Sequence, residues 1–384
     1  MEYAGIHAER KGETMRLGII THYYNSKNYG GMLQAYALVK VLRDLGYDAE
    51  QICYLVESNS TKKSLKSCVK SLINMVIKKK LDRRKKAFKQ FEISIPHSKK
   101  VYSERDIEQS VVLYDAFITG SDQVWNFKWY ISSYFLTFVP SRKKKIAYAA
   151  SMGTNSLSEE ESIRLKEHIK DYTAISLRES DSADFVQTLT SLPVQTTLDP
   201  TLLLDLDDWK SISDHKIIKE RYLFCYFLGR DKRIRILAKK FAKQHNLEIV
   251  TLPNLQQHLE INDLGFGQHR LYDVNPGGFV SLIRNADYVF TDSFHGTVIS
   301  LIFHKSFISF GRNGSQAMNN RIDNLLNIFD CHERFLSSTK NVEVSAINSI
   351  TDKELVIDTS VLEKRRKESI SFLKSSLNNN DRKE

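Results

Sequence analysis

Cysteine and proline are both scarce in this 384-residue chain, four of the one and six of the other. The cysteines, Cys53, Cys68, Cys225 and Cys331, stand far apart, with no Cys-x-x-Cys pair and no neighbouring histidine. That excludes a zinc ribbon or a disulfide framework, and the simplest compartment is a reduced cytoplasm. So little proline, with 16 glycines and 41% hydrophobic residues, excludes collagen-like, low-complexity and disordered chains. No apolar run reaches the roughly 18 residues that span a bilayer; Asp292 interrupts the best candidate. Neither a Gly-x-Gly-x-x-Gly fingerprint nor a P-loop is present, and no fixed-period repeat calls for a solenoid or propeller. Residues 1–14 carry charges where a secretory signal would be apolar, so export is not expected. Met15 precedes the first strand-like run, and the leader reads as a disordered extension or a start-site artefact.

What the chain has is length for two or three domains and an alternation of short apolar runs with amphipathic stretches. Strand-like runs at 16–22, 48–56, 112–119, 145–150, 173–177 and 194–198 are separated mostly by helical patterns, the signature of a parallel α/β sheet. After Pro200 the pattern loosens through residues 205–220, where an interdomain connection is expected. A second series follows: strands at 222–228, 247–252 and 288–291, with helices at 232–245, from 277, and at 294–304. The fold class is therefore α/β, with two tandem Rossmann-like domains at 15–204 and 220–338, a cleft between them, and a charged helical tail at 339–384.

Three strand-to-helix loops gather side chains suited to chemistry, at the place where open parallel sheets put their ligands. Asn28-Tyr29-Gly30-Gly31 opens the helix that carries Gln34, and is either a tight turn needing glycine or a ligand loop. Gly120-Ser121-Asp122-Gln123-Val124-Trp125 offers hydrogen-bonding and stacking groups for a polyhydroxylated ligand, with Asp122 able to take a proton from a sugar hydroxyl. Its other reading is a helix-capping turn with Trp125 in the core. Asp292-Ser293-Phe294-His295-Gly296-Thr297 puts His295 in the first turn of a helix, beside free N–H groups and a positive dipole end. His304, deeper in that helix, reads as structural. Arg178 closes a strand and is either a bidentate clamp for a carboxylate or phosphate, or a partner of Glu179.

The net charge of +10 is concentrated. Lys62 to Lys89 holds twelve Lys or Arg against Asp82 alone, a net of 12 − 1 = +11, which leaves 10 − 11 = −1 for the remainder. Within this stretch, part of a basic helical segment at 62–91, Leu65, Val69, Leu72, Ile73, Val76 and Ile77 fall on one face. Such a helix suits either docking on an anionic membrane surface or packing on a core with a solvated outer face. Nucleic acid is disfavoured, because few aromatics stand ready to stack on bases.

In their order, Asn28-Tyr29-Gly30 with Leu33-Gln34-Ala35-Tyr36, Gly120 to Trp125, Ser176-Leu177-Arg178-Glu179, Asp199-Pro200 and Phe294-His295-Gly296 make the chain resemble the polysaccharide pyruvyl transferase family over roughly residues 15–336. The resemblance implies a GT-B-like fold. It also implies transfer of a pyruvyl group from phosphoenolpyruvate to a sugar of a capsule, exopolysaccharide or lipopolysaccharide precursor, as a ketal. It places the catalytic roles on His295 and Asp122. It places the donor on Arg178, His295, Ser293 and Gly296, with the 15–204 domain on the acceptor side and the 220–338 domain on the donor side. Many relatives carry Arg where Ser293 stands, so either the donor's charge falls to Lys305, Arg312 or Arg321, or the donor differs. The acceptor, a lipid-linked or polymeric saccharide, falls to Asn28, Gly30, Gln34, Gln123 and Trp125. No cofactor or metal is implied, and the place of work is the cytoplasm, peripheral at the inner face of the cell membrane. A GT-B-like nucleotide-sugar glycosyltransferase and a non-catalytic sugar-binding relative are the competing readings.

Overall fold

A computed structural model describes residues 14–56, 70–154, 156–213, 215–253, 263, 265–312 and 316–378. The leader at 1–13, the polar end at 379–384 and the side chains of 57–77, with the apolar face predicted there, lie outside the described residues.

The first sheet is built from β1 (Arg16–Ile20), β2 (Asp48–Gln51), β3 (Ala116–Thr119), β4 (Lys144–Ala150), β5 (Ala174–Leu177) and β6 (Val194–Thr196). All its pairs are parallel, in the order β2-β1-β3-β4-β5-β6. The second holds β7 (Tyr222–Tyr226), β8 (Glu248–Thr251), β9 (His269–Arg270), β10 (Tyr288–Thr291), β11 (Ser306–Phe310) and β12 (Phe335–Leu336), again parallel, in the order β12-β11-β10-β7-β8-β9. Read from its far edge, that is the doubly wound Rossmann order. The inner strands β1, β3, β7, β10 and β11 are mostly apolar because helices cover both faces, whereas the edge strands β2, β6 and β9 are largely polar. The helices are α1 (Tyr29–Asp44), α2 (Lys70–Glu92), α3 (Glu159–Ile169), α4 (Ser180–Gln187) and α5 (Leu206–Ser211) around the first sheet, then α6 (Lys232–Gln244), α7 (Pro276–Arg284), α8 (Phe294–Ile302), α9 (Gln316–Ile328), α10 (Val344–Thr351) and α11 (Thr359–Asn378). Among the described residues no helix is long and apolar enough to cross a membrane.

Each sheet reverses its winding once, β1 against β3 in the first and β7 against β10 in the second, and the loops at these reversals face one another. One buried apolar cluster runs through both domains, from Leu33 and Leu38 on α1 to Phe279 on α7 and Val298 and Ile299 on α8. At its centre Tyr29 stacks on Phe279 at 4.8 Å and donates its hydroxyl to the Val274 carbonyl at 3.0 Å. A stacked aromatic pair adds about 0.5–1.5 kcal/mol beyond its burial, so the two domains share a core.

One predicted segment departs from its sequence outline, and the described half of another takes one of its two readings. The 339–384 stretch divides: α10 packs Ile347 into the second domain, whereas α11 buries Phe372, Leu373 and Leu377 against the first. There Arg366 donates to the Leu202 and Leu204 carbonyls at 2.6 and 2.7 Å, and Ser369 Oγ accepts from the Leu198 N–H. Helix α2 buries Arg84, Ala87, Phe88 and Phe91, with Lys78, Lys79, Arg83, Lys85 and Lys86 outward. Arg84 lies 5.0 Å over the Tyr29 ring and donates to the Lys27 and Pro253 carbonyls. This half of the basic segment is thus a packed helix with a solvated cationic face.

Candidate functional site

The loops after β1, β3, β5 and β6 and the N-terminus of α8 converge on a buried charge cluster between the domains. Arg178 is its hub. Nη1 donates to Asp199 Oδ2 at 2.7 Å, Nε to Glu179 Oε1 at 3.2 Å and Nη2 to Asp122 Oδ1 at 3.4 Å. A guanidinium has five N–H donors, so this arrangement leaves two for another acceptor. From the second domain, Phe294 places its ring 4.4 Å from the Arg178 guanidinium and 5.8 Å from that of Arg321. Arg321, on α9, reaches Asp122 Oδ1 at 3.7 Å. With its oxygen turned toward Arg321, the Gln123 amide accepts from Nη1 and Nη2 at 3.2 and 3.1 Å.

His295 stands at the join. Its Nε2 is buried, has no hydrogen-bond partner among the described residues and lies 3.5 Å from Asp199 Oδ2. Its other side presses on α1. A Cβ added to Gly30 would sit 2.0 Å from His295 Nδ1, inside any allowed contact. Gly30 therefore lets a helix of one domain meet the histidine of the other. Asn28 supports that approach by capping α1, its Oδ1 accepting from the N–H groups of Gly30 and Gly31 at 3.0 and 3.4 Å.

Asp199 was part of a recognisable sequence pattern without a role in it. In the fold it is fully buried and accepts from Arg178, from Thr201 N and Oγ1 at 3.0 and 2.6 Å, and from Ser121 Oγ at 3.3 Å. Burial alone would raise its pKa, but the His295 and Arg178 charges and the hydroxyl donor hold it well below the usual carboxylate range. Asp122 behaves alike: burial works upward, and Arg178, His295, Arg321 and His22 outweigh it. Burial and the neighbouring Arg178 bring Arg321 down to about 10, so it stays cationic at neutral pH. For Arg178 burial works downward, yet Glu179, Asp199 and Asp122 leave it raised.

Asp122 owes its aim to local backbone. Its φ of +69° lies in the left-handed region that Asp tolerates better than most side chains. Strand β4 shifts register between Ala147 and Ala150, and beyond the shift Ser151 N donates to the Asp122 carbonyl at 2.9 Å. Bulged strands often re-aim side chains beside active sites.

Several predicted site residues serve the scaffold. Trp125 has no exposure and is stacked on Phe135 at 5.9 Å, so it cannot face a sugar. Gln34 is also fully buried; its Nε2 donates to Thr21 Oγ1 and the Gly31 carbonyl, and its Oε1 accepts from Ser121 N, tying α1 to the β3 loop. Ser293 and Gly296 satisfy each other, the Ser293 Oγ accepting from the Gly296 N–H as the cap of α8. Of the three cations considered for the donor, Lys305 donates to the Arg284 carbonyl at the far end of α8. Arg312 gives Nε and Nη2 to the Asp292 carbonyl at 3.0 and 2.8 Å. Arg321 alone joins the cluster.

Beside the cluster an open groove of about 580 Å³ runs along the loops after β1 and β3, lined by His22, Asn25, Ser26, Lys27, Asn28, Asp122, Gln123 and Trp129. His22, which drew no notice in the sequence, shares a 3.1 Å hydrogen bond with the Gln123 carbonyl. Burial lowers its pKa against the pull of Asp122. On the other side, a cavity of about 30 Å³ bordered by Arg178, Asp199, Phe294, Arg321 and Arg365 has room for little more than one water. Among the described residues Glu220, Glu248 and His269 bring ligand-type atoms together, but at the start of β8, the opposite end of that sheet from the cluster.

The sequence model of a family described as Polysaccharide pyruvyl transferase matches residues 28–314, a span that holds Asp122, Arg178, Asp199 and His295 but neither His22 nor Arg321. No curated protein sequence matches the chain. Among solved structures it is similar to the UDP-GlcNAc 2-epimerase of Neisseria meningitidis, bound to UDP-GlcNAc, at 12% identity, covering 94% of this chain and 100% of that one with a TM-score of 0.52. It is also similar to the enzyme of that name from Methanocaldococcus jannaschii, in complex with UDP-GlcNAc and UDP, at 12% identity, 92% and 99% coverage and a TM-score of 0.53. A third, from Rickettsia bellii, gives 12%, 94%, 97% and 0.53. At this identity the likeness is one of fold: two tandem Rossmann-like domains in a GT-B-like arrangement.

Proposed function

This chain belongs to the polysaccharide pyruvyl transferase family, and from that premise we propose that it moves the pyruvyl group of phosphoenolpyruvate onto two hydroxyls of a saccharide as a ketal. The observation that carries this reading is His295, a buried histidine whose Nε2 faces Asp199 Oδ2 at 3.5 Å, in a cluster of two arginines and two carboxylates. Protonation of an enol carbon needs a positioned proton carrier, and a carboxylate-phosphate donor needs cations close by.

In the scheme, the narrow space between Arg178 and Arg321 widens to admit the donor, and Arg321 and the two remaining N–H groups of Arg178 bind its anionic groups. His295 delivers a proton to the methylene carbon, making it a methyl group and leaving an oxocarbenium-like centre beside it. One sugar hydroxyl adds there and gives up its proton to Asp122 or to His295. The second hydroxyl displaces phosphate and closes the ring, its proton leaving with the phosphate. Protons and leaving group balance without a cofactor. The acceptor is a capsule, exopolysaccharide or lipopolysaccharide precursor at the inner face of the membrane. The exposed Lys78, Lys79, Arg83, Lys85 and Lys86 of α2 suit a lipid diphosphate or an anionic lipid surface there.

Thermal unfolding tests the donor. A ligand bound only by the folded state at a hundredfold excess over Kd adds about 2.7 kcal/mol. Phosphoenolpyruvate is expected to raise Tm by several degrees, and Arg321→Ala to remove most of that rise. Stabilisation by nucleotide sugars with none by phosphoenolpyruvate would move the chain to the glycosyltransferase reading.

A further inference from the structure

The chain has three tryptophans, and two of them, Trp125 and Trp209, are among its most deeply buried side chains. Trp129 is 50% exposed. It closes a single 3-10 turn, Phe127–Trp129, whose start Asn126 fixes by accepting from the Lys128 N–H at 3.0 Å. Half of the indole surface stays open to solvent, and it stands in the wall of the 580 Å³ groove. The rest of that wall is polar, with the carboxylate of Asp122, the amides of Asn25, Asn28 and Gln123, and His22. One flat apolar face among convergent hydrogen-bonding groups matches a pyranose ring, which is apolar on its C–H face and ringed by hydroxyls.

The groove also joins the charge cluster. Asp122 lines it on one side and meets Arg178 and Arg321 on the other, so a sugar in the groove brings its hydroxyls to the edge of the donor site. We propose that this groove is the acceptor subsite and that Trp129, not Trp125, is the platform on which the reacting pyranose stacks. The inference rests on the transferase reading for the word acceptor, but not for the binding of a sugar.

Because the other two indoles are buried, iodide quenching of tryptophan fluorescence in the full-length protein reports on Trp129 alone. A panel of methyl pyranosides and methyl N-acetylhexosaminides of both anomers serves as the probe, with uridine as the nucleobase control. At least one pyranoside is expected to protect against quenching and uridine to have no effect, while Trp129→Phe removes the quenchable signal. Stacking of a ring on an aromatic side chain sets the scale of the kinetic change: Trp129→Ala is expected to raise KM for the acceptor that supports phosphate release about tenfold, with KM for phosphoenolpyruvate within twofold of wild type. Protection by no pyranoside, protection by uridine instead, or an unchanged acceptor KM in Trp129→Ala overturns the proposal. Pyranoside protection without phosphate release from phosphoenolpyruvate keeps the subsite and removes the donor. Phosphate release that is indifferent to Trp129→Ala keeps the donor and removes the subsite.

Discussion

His295→Asn is expected to lower kcat for pyruvyl transfer by about 10²- to 10⁴-fold, the range that a positioned general acid contributes. The same variant should still gain thermal stability from phosphoenolpyruvate, because the arginines of the cluster are untouched. Folding should survive the change. Asp199, which faces the imidazole Nε2 at 3.5 Å, keeps Arg178, Thr201 and Ser121 as partners, and asparagine is smaller than the imidazole ring against which Gly30 packs. The KM for phosphoenolpyruvate is therefore expected to move much less than kcat, as it does when an interaction acts in the transition state alone. Steady-state phosphate release with a competent acceptor measures both. A kcat within tenfold of wild type would show that the proton comes from elsewhere.

Asp199→Ala should have the largest effect on stability, about 3–5 kcal/mol, because it removes one partner of a buried ion pair and leaves the other charge behind. Asp199 meets Arg178 at 2.7 Å and also receives Thr201 and Ser121. Its loss frees the hub of the cluster and the residue opposite His295 together, and misplacement on this scale costs on the order of 10² in rate. Chemical denaturation and turnover assays read the two losses separately. The acid limb adds a third readout. Asp199 and Asp122 both have folded-state pKa values below their ordinary ones. Their contribution is therefore fully present above about pH 4 and is lost as pH falls toward the folded values. Asp199→Asn should flatten the stability profile below that pH. An unchanged acid limb would mean that the cluster does not hold these carboxylates ionised.

Much of this architecture was legible in the sequence. Each of the nine strand and three helix segments read from alternating apolar runs overlaps an element of that type in the fold, because central parallel strands covered on both faces must be apolar. The limits lay where context decides. The run at 112–119 is a strand only over Ala116–Thr119; Ile107–Leu113 winds into a 3-10 turn that leaves Val112 exposed. The two-residue strands β9 and β12 are too short to show a period.

The site was legible as loops rather than as roles. Strand ends and glycines drew attention to Asp122, Arg178 and His295, and the fold brings all three together. Trp125 and Trp129 lie four residues apart in one loop, and only the fold separates the buried indole from the exposed one. Arg321 comes from a helix with no motif, and Gly30 needed a partner more than 260 residues away to explain it. Asp199 stood at a strand end, where the rule for open sheets points to function, but nothing local distinguished it from a turn residue.

The central claim, that this cluster transfers a pyruvyl group, is tested most directly by following the carbon. Phosphoenolpyruvate labelled with ¹³C in its three-carbon unit, incubated with the protein and an isolated lipid-linked or polymeric saccharide, is expected to leave the label on the saccharide as an acid-labile ketal, with one phosphate released for each group transferred, and His295→Asn is expected to transfer almost none. Label that stays in phosphoenolpyruvate, or appears as free pyruvate while the saccharide remains unlabelled, would contradict the account.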